Sequence, residues 1–274
     1  MIQIGVTERG DAAINTEWRE WVWKGHPAIL ISKDPVKVIK DNMCLFYKNL
    51  DGRLCGNVIL HATITGMGGW YLEPNVPSAE HTLKGLEELM KLPRFVKERI
   101  VIRQDPIFIP ELILRGSEIT NQVFNVARFA KNNNLRYRLS FLDLYPHVFS
   151  RIVESYNENL AFPRDGVLCP IKPDTLKRMQ PDIHIPLNTR KDFIELLKNK
   201  TGLTDEDIEI CGEPGLPCTG CISQKDLDIF KIDDSVSTDK CVQRLACACL
   251  GIKKELLNNK HRCQHNCLYC YWKD

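Results

Sequence analysis

The sequence lacks a long hydrophobic run and a strong net charge, and we expect no secretory leader. No apolar stretch approaches the about 20 residues that a membrane-spanning helix requires, and Met1–Asp11 does not have the pattern of a signal peptide. The net charge is +2, which argues against a strongly basic nucleic-acid-binding protein and against an acidic tail. We therefore expect a cytoplasmic protein without membrane association, and 274 residues are enough for one large domain or somewhat more.

Cysteine is scarce in most of the chain and dense near its end. Only Cys44, Cys55 and Cys169 precede residue 210, and the other nine of the twelve lie between Cys211 and Cys270. A disulfide framework is typical of small secreted domains, not of a segment attached to a large domain without a leader. We therefore interpret the cysteine-rich segment as metal-binding.

Apolar runs alternate with amphipathic stretches about six times before Cys211, which predicts a parallel α/β architecture. Continuous apolar runs at Ala28–Ser32, Met43–Tyr47 and Val58–Thr65 are typical of strands that are buried on both faces. From Cys211 onward the sequence is loop-rich, which predicts a cap folded around metal. The other predicted strands are Met1–Thr7, Arg99–Arg103, Tyr137–Leu142 and Asp207–Ile210, and predicted helices lie near Trp18–Gly25, Ser78–Leu92, Ser117–Ala130 and Thr189–Lys200.

Polar residues recur where the predicted strands end. The carboxyl ends of parallel strands meet at one edge of a sheet and carry the site in barrels and doubly wound folds. One such residue is more often a turn former, but several sets in one chain predict a common pocket. The candidate catalytic residues are Asp11, Arg103, Asp105, Asp143 and Tyr145, and the candidate cofactor-binding residues are Thr63 and Thr65 with Gly66, Gly68 and Gly69 of the following turn.

Three cysteines near the end of the sequence form a C-x3-C-x2-C array at Cys263, Cys267 and Cys270. Three thiolates suit a 4Fe–4S cluster with one iron open to a non-protein ligand, whereas structural zinc takes four protein ligands. A zinc knuckle with His261 or His265 as the fourth ligand is the alternative interpretation.

A second group of six cysteines precedes this array and contains a C-x2-C and a C-x-C pair. Four thiolates from such a set can hold a second Fe–S cluster or a structural zinc, and the spacing does not choose between them. Some of the thiols could equally be small buried hydrophobic groups. The group comprises Cys211, Cys218, Cys221, Cys241, Cys247 and Cys249.

The C-x3-C-x2-C array resembles that of radical S-adenosylmethionine enzymes, in which an aromatic residue commonly precedes the third cysteine. The resemblance makes Tyr269, at that position here, a further candidate cofactor-binding residue. In most of those enzymes the array follows the first barrel strand, whereas here it lies near the last residue. The resemblance implies that the open iron binds S-adenosylmethionine and that an electron from the reduced cluster cleaves it to a 5′-deoxyadenosyl radical. It also implies a Gly-rich turn that holds the methionine amino group, and an electron donor such as flavodoxin or ferredoxin.

Over nearly its full length the chain resembles a radical-SAM-like family, a domain of unknown function that carries its cysteine triplet at the C-terminus. The matching segments are Thr63–Gly66, Glu73–Ser78, Arg103–Pro106, Ser140–Tyr145, Cys247–Cys249 and the triplet followed by Tyr271. The family tends to have Arg-Arg-Thr-Asp where this chain has Glu8–Asp11, so Asp11 keeps the match better than Arg9. The family is distantly similar to the spore photoproduct lyases, and this similarity makes nucleic acid one candidate substrate.

This resemblance implies a partial (β/α)6-type parallel barrel over residues 1–210 and a cysteine-rich, loop-rich cap over residues 211–274. It further implies a 4Fe–4S cluster on the triplet and a second set of ligands at Cys211, Cys221, Cys247 and Cys249. Two hypotheses follow. The first is a radical S-adenosylmethionine enzyme of unspecified substrate, and the second is a non-catalytic binding or scaffold protein, stabilised by zinc or Fe–S clusters, with nucleic acid among its possible partners.

Overall fold

The computed structural model describes residues 2–161, 170–232, 246–258 and 263–271, apart from the side chains of residues 115, 117 and 118. Two cysteines considered above, Cys169 and Cys241, therefore lie outside the described residues, as does His261. Seven strands are found in the described part of the chain. They are β1 (Ile4–Val6), β2 (Ala28–Ser32), β3 (Val58–Thr63), β4 (Ile100–Ile107), β5 (Arg136–Phe141), β6 (Ile208–Ile210) and β7 (Lys253–Glu255).

All seven strands form one parallel sheet in the order β6-β5-β4-β3-β2-β1-β7. The strands β1 to β6 follow one another in chain order, as right-handed crossovers through helices favour. Strand β7 comes from the cysteine-rich segment and pairs with the free edge of β1. The predicted parallel α/β arrangement is therefore confirmed, and the segment after residue 210 contributes to the same sheet.

Nine α-helices connect or follow these strands in the described residues. The central helix of the first half begins at its N-cap Ser78, whose side chain accepts a hydrogen bond from the His81 amide. None of the described helices has the length and apolar character that crossing a membrane would demand. The helices are α1 (Trp18–Trp23), α2 (Pro35–Asp41), α3 (Ala79–Met90), α4 (Ile109–Arg115), α5 (Ser117–Asn132), α6 (Pro146–Ala161), α7 (Pro173–Met179), α8 (Leu187–Thr201) and α9 (Gln224–Phe230).

Alternate residues of each strand point into two different cores, as the period of two requires. Ala28, Leu30 and their equivalents pack against the connecting helices in the larger core. Ile29 and its equivalents form a smaller core with Leu227 and Phe230 of α9. Ile222, Leu227, Phe230 and Ile252 of the segment after residue 210 therefore pack against the second face of the sheet.

One predicted strand is wrong. Met43–Leu45 forms a single 3₁₀ turn at the end of α2 rather than a strand. Leu45 and Phe46 are fully buried in the larger core, so the apolar run reflects burial of a turn. A short apolar run cannot by itself distinguish these two arrangements.

Candidate functional site

The loop that carries the cysteine triplet, residues 263–271, lies across the carboxyl ends of several strands. His265 Nε2 is 2.9 Å from Asp11 Oδ2, beyond β1. Tyr269 accepts a hydrogen bond of 2.7 Å from the Lys33 ammonium, which directly follows β2. The predicted meeting of strand ends is therefore realised around this loop, which we call the triplet loop.

The contact between Asp11 and His265 fixes the beginning of the triplet loop. The Asp11 carboxylate is buried and accepts hydrogen bonds from the amide of Ala13, the hydroxyl of Ser32 and the amide of Lys33. Burial alone would raise the pKa of Asp11, but the contact with His265, together with the hydrogen bonds from Lys33 and Ser32, lowers the pKa. For the same reason the pKa of His265 is raised although burial acts in the opposite direction. The contact therefore favours the ionised carboxylate of Asp11 and the protonated imidazole of His265, which form an ion pair at the start of the triplet loop.

A buried charge network fixes the middle of the loop. Lys33 Nζ lies 2.5 Å from Glu73 Oε1, and Thr65 donates a 2.5 Å hydrogen bond to Glu73 Oε2. The Tyr269 hydroxyl donates to the same carboxylate. Burial lowers the pKa of Lys33, but the charge of Glu73, followed by that of Cys267, raises it above its ordinary value. A protonated Lys33 therefore lies close to the central cysteine of the triplet.

The three triplet thiols lie in one another's electrostatic field. Burial is the main cause that raises the pKa of Cys267 to about 12; Lys33 opposes the rise, and the charges of Glu73, Cys263 and Cys270 contribute to it. The Cys270 amide donates a 3.2 Å hydrogen bond to the Cys267 carbonyl, which closes the turn between them. Within the ranges that the structure describes, no three His, Cys, Asp or Glu side chains are arranged to hold a single metal ion.

Four thiols of the second cysteine group form a chain of contacts. Cys211 Sγ is 3.2 Å from Cys221 Sγ, and the Cys221 amide donates a 3.0 Å hydrogen bond to Cys249 Sγ. Cys247 in turn contacts Cys249, and this contact lowers the pKa of Cys247 to about 7. Cys218 is bound differently, because its thiol lies 3.1 Å from both the amide and the carbonyl of Glu213.

Positive side chains surround this second group. The field of the Cys221 thiol raises the pKa of Arg138, although burial lowers it. Burial likewise lowers the pKa of Lys253, while Glu8 and then Cys249 raise it. Arg103, paired with Asp105, also lies within reach of the charge on Cys221. Arg103 acts to lower the pKa of Cys211 and of Cys221, but the neighbouring thiols and burial keep the pKa of both above its ordinary value.

Asp105 lies between the two cysteine groups. It is paired with Arg103 and accepts a 2.5 Å hydrogen bond from Ser140. Its charge acts on the pKa of Tyr269 in the triplet loop and on that of Cys211 in the second group. The predicted Arg103 and Asp105 are thus placed at the centre of the site.

Two predicted residues carry buried polar atoms without a hydrogen-bond partner among the described residues, namely Thr63 Oγ1 and Arg103 Nε. The two residues lie opposite each other on β3 and β4. Thr65, in contrast, is engaged by Glu73 and by the Met67 amide. Buried polar groups are normally satisfied, so Thr63 and Arg103 have hydrogen-bonding capacity that a polar ligand could use.

The backbone of the glycine-rich turn requires glycine at three positions for structural reasons. Gly66 and Gly69 have φ of +90° and +82°, in the region that favours glycine. A Cβ on Gly68 would lie 2.1 Å from the Pro77 carbonyl oxygen. The turn brings Glu73 back to the end of β3, where the Gly69 amide donates to its carbonyl.

At the end of β5 the predicted Asp143 and Tyr145 lie beside the triplet loop. The Asp143 amide donates a 3.2 Å hydrogen bond to the Tyr271 hydroxyl, and the rings of Tyr145 and Tyr271 are 5.2 Å apart. Asp143 Oδ1 lies 2.7 Å from His184 Nδ1, and the His184 side chain is 40% exposed. The His184 imidazole is therefore oriented by Asp143 and accessible to solvent at the edge of the site.

Sequence reasoning missed Lys33, Glu73 and His184 as site residues, and it considered His265 only as a zinc ligand. Glu73 belongs to one of the segments that carry the family resemblance, and Lys33 follows the apolar run of β2, where a strand-end polar residue is expected. His184 lies in a proline-rich stretch and no sequence pattern marks it.

Comparisons with known proteins give a family but no function. No curated protein matches the chain, and no solved structure matches it. Residues 27–272 match the family described as Domain of unknown function (DUF1848). This match covers most of the 274 residues, and the chain therefore belongs to the DUF1848 family.

Proposed function

We propose that this protein is a radical S-adenosylmethionine-type enzyme, with a 4Fe–4S cluster on Cys263, Cys267 and Cys270. The observation that carries the proposal is the position of the triplet loop across the carboxyl ends of a parallel sheet. There it meets the polar strand ends that would hold a cofactor and a substrate. The finer architecture proposed with it is a partial (β/α)6-type barrel over residues 1–210 and a cysteine-rich, loop-rich cap over residues 211–274.

The contacts of His265 argue against a zinc knuckle in which His265 is the fourth ligand. Both ring nitrogens of His265 are engaged, with Nε2 at 2.9 Å from Asp11 and Nδ1 at 3.3 Å from the Asn75 carbonyl oxygen. The histidine inside the triplet is thus occupied by other partners.

A second Fe–S cluster is proposed on Cys211, Cys221, Cys247 and Cys249. These four thiols are the ones in mutual contact, whereas the Cys218 thiol is already bound to the backbone of Glu213. The surrounding Arg103, Arg138 and Lys253 would offset the negative charge of four thiolates.

The residues of this chain would have three roles, in cofactor binding, in positioning and in substrate binding. When bound, the cluster and S-adenosylmethionine supply one-electron reductive cleavage of a C–S bond. Thr63 and the turn with Gly66, Gly68 and Gly69 would bind the cofactor. Thr65 and Tyr269 would act indirectly, because their hydroxyls hold Glu73 and Lys33 in place. Asp11, Arg103, Asp105, Asp143 and Tyr145 would line the substrate pocket. The substrate, a donor such as flavodoxin or ferredoxin and a cytoplasmic location stay predictions.

The experiment that tests this proposal compares Cys267→Ala with Cys218→Ala in anaerobically purified, chemically reduced protein. We expect the unaltered chain and Cys218→Ala to convert S-adenosylmethionine to 5′-deoxyadenosine and methionine, and Cys267→Ala to lose this activity. Full activity in Cys267→Ala would overturn the proposal. Zinc in place of iron, without S-adenosylmethionine binding, would favour the binding or scaffold protein instead.

A further inference from the structure

A third pair of cysteines lies outside both groups. Cys44 is half-buried in the 3₁₀ turn after α2, and Cys55 is exposed in the loop before β3; both are free thiols. The Cys55 amide donates a 3.0 Å hydrogen bond to the Cys44 carbonyl, and the two side chains also hydrogen-bond to each other. Cys55 precedes the amino end of β3, whereas the candidate site lies at the carboxyl ends.

Several contacts hold the two cysteines in this arrangement. On the Cys44 side, Asn42 donates to the Val38 carbonyl at 2.8 Å and accepts from Arg19 at 3.0 Å. On the Cys55 side, a Cβ on Gly56 would lie 2.7 Å from Val22 and 2.8 Å from Leu45, so the chain passes tightly against the core directly after Cys55. The pair is therefore brought together by the fold and not by a chance encounter of two flexible loops.

We propose that Cys44 and Cys55 are a redox-active pair that closes reversibly into an intramolecular disulfide when a low-molecular-weight disulfide, such as oxidised glutathione, is the oxidant. A direct backbone hydrogen bond between the two residues keeps their Cα atoms near the about 4.4–6.8 Å that a disulfide requires. Neither cysteine belongs to the proposed cluster ligands, so the inference is independent of the proposed function.

The two thiols have different parts in the exchange. The exposed Cys55 thiolate attacks a sulfur of the oxidised disulfide, and one glutathione thiolate leaves. Cys44 then loses its proton and attacks the Cys55 sulfur, and the second glutathione leaves. Two protein thiols are oxidised and one small disulfide is reduced to two thiols. Burial raises the pKa of Cys44 to about 11, which suits the role of resolving thiol and predicts that closure is faster at higher pH.

The test is peptide mapping of the folded, cluster-containing protein after incubation with oxidised glutathione. Trypsin cuts after Lys48 and Arg53, so the two cysteines fall in separate peptides, 41–48 and 54–84, each with one cysteine. We expect a cross-linked pair of these peptides that disappears on reduction and is absent from Cys44→Ser. In Cys44→Ser, Cys55 should instead accumulate as the glutathione mixed disulfide.

Two results would overturn the proposal. One is the absence of the cross-linked pair while Cys55 carries glutathione in the unaltered chain. The other is a cross-linked pair that forms only after the chain is unfolded in urea. Because both peptides are identified by mass, the result does not depend on whether the clusters are catalytically active.

Discussion

The two cysteine groups after residue 210 are held in opposite ways. The triplet loop is fastened by side chains from other elements, with Asp11 on His265 and the Lys33–Glu73 pair on Tyr269. The cysteines of the second group instead contact one another, thiol to thiol and backbone amide to thiol, and cations such as Arg138 surround them.

This difference indicates two roles for the same residue type. A group that is fastened from outside leaves one side facing the polar strand ends, where a ligand can enter. A group whose thiols contact one another links Cys211, after β6, to Cys249, just before β7, and these are the two edge strands of the sheet. We therefore expect the triplet to be needed for chemistry and the second group to be needed for the fold.

The largest expected effect, and the strongest test of these two roles, comes from removing one central thiol from each group. Cys221→Ala should unfold or strongly destabilise the protein, because it removes the contacts to both Cys211 and Cys249. Cys267→Ala should keep the fold and the second cluster, with about four irons per chain left. Iron analysis and thermal unfolding on both variants check this, and equal destabilisation by the two changes would refute the division of roles.

The next effect concerns the buried pair beside the triplet. Lys33→Met leaves Glu73 buried without its cation and should cost about 3–5 kcal/mol of unfolding free energy. The matched control is Lys24→Met, whose partner Glu20 is 78% exposed and which should change stability by less than about 0.5 kcal/mol. The double change Lys33→Met with Glu73→Gln should recover part of the loss. Denaturant titration of the three variants measures these differences.

A cluster of ion pairs among Arg136, Arg138, Glu209 and Asp226 connects α9 to the sheet. We expect the stability that this cluster contributes to depend on pH. Burial alone would raise the pKa of Glu209, but Arg138 and Arg136 lower it from 4.5 to about 2. The folded value lies below the unfolded one, so the stabilisation is present above pH 4.5 and is lost as the pH falls towards 2. The shift corresponds to about 3 kcal/mol.

Glu209→Gln should therefore flatten the loss of stability between neutral pH and about pH 3 and lower the stability at neutral pH. Glu87→Gln, which removes an exposed pair with Lys91, should retain the slope of the unaltered chain. Urea titrations at the two pH values provide the measurement. An unchanged slope in Glu209→Gln would show that other groups control the acid transition.

The smallest expected effect is that of Thr63→Val. Its hydroxyl is buried without a partner among the described residues, so its replacement by a methyl group should not lower the unfolding free energy. If the hydroxyl binds the cofactor, affinity for S-adenosylmethionine should fall about 2- to 13-fold, the equivalent of one hydrogen bond. Calorimetry on the cluster-containing protein measures the affinity, and an unchanged value would remove Thr63 from the site.

The sequence was sufficient for much of the fold because strand burial leaves a direct pattern. Ala28–Ser32 and Val58–Thr63 are continuous apolar runs and both are strands. Met43–Leu45 has the same pattern but is a turn, because a buried turn and a buried strand both require apolar residues. Strand β7 was missed because Lys-Lys-Glu is a short edge strand whose formation depends on pairing with β1.

The site was predictable only where its residues follow strands or share a motif. Asp11, Asp105 and Asp143 were found in this way, and the structure places all three at the carboxyl ends. His265 was considered only as a zinc ligand, since its partner Asp11 is 254 residues away in sequence. The position of His184 depends on a contact with Asp143, 41 residues away in sequence, and sequence spacing carries no information about such pairs.

The measurement that tests the central claim most directly is the iron and acid-labile sulfide content of anaerobically purified protein, together with the electron paramagnetic resonance spectrum of its reduced form with and without S-adenosylmethionine. We predict about eight irons per chain and a spectrum that changes when S-adenosylmethionine is added. About four irons with the same change would leave the cluster on the triplet and remove the second one. Zinc in place of iron, or a spectrum that S-adenosylmethionine does not alter, would contradict the proposed open iron at Cys263, Cys267 and Cys270.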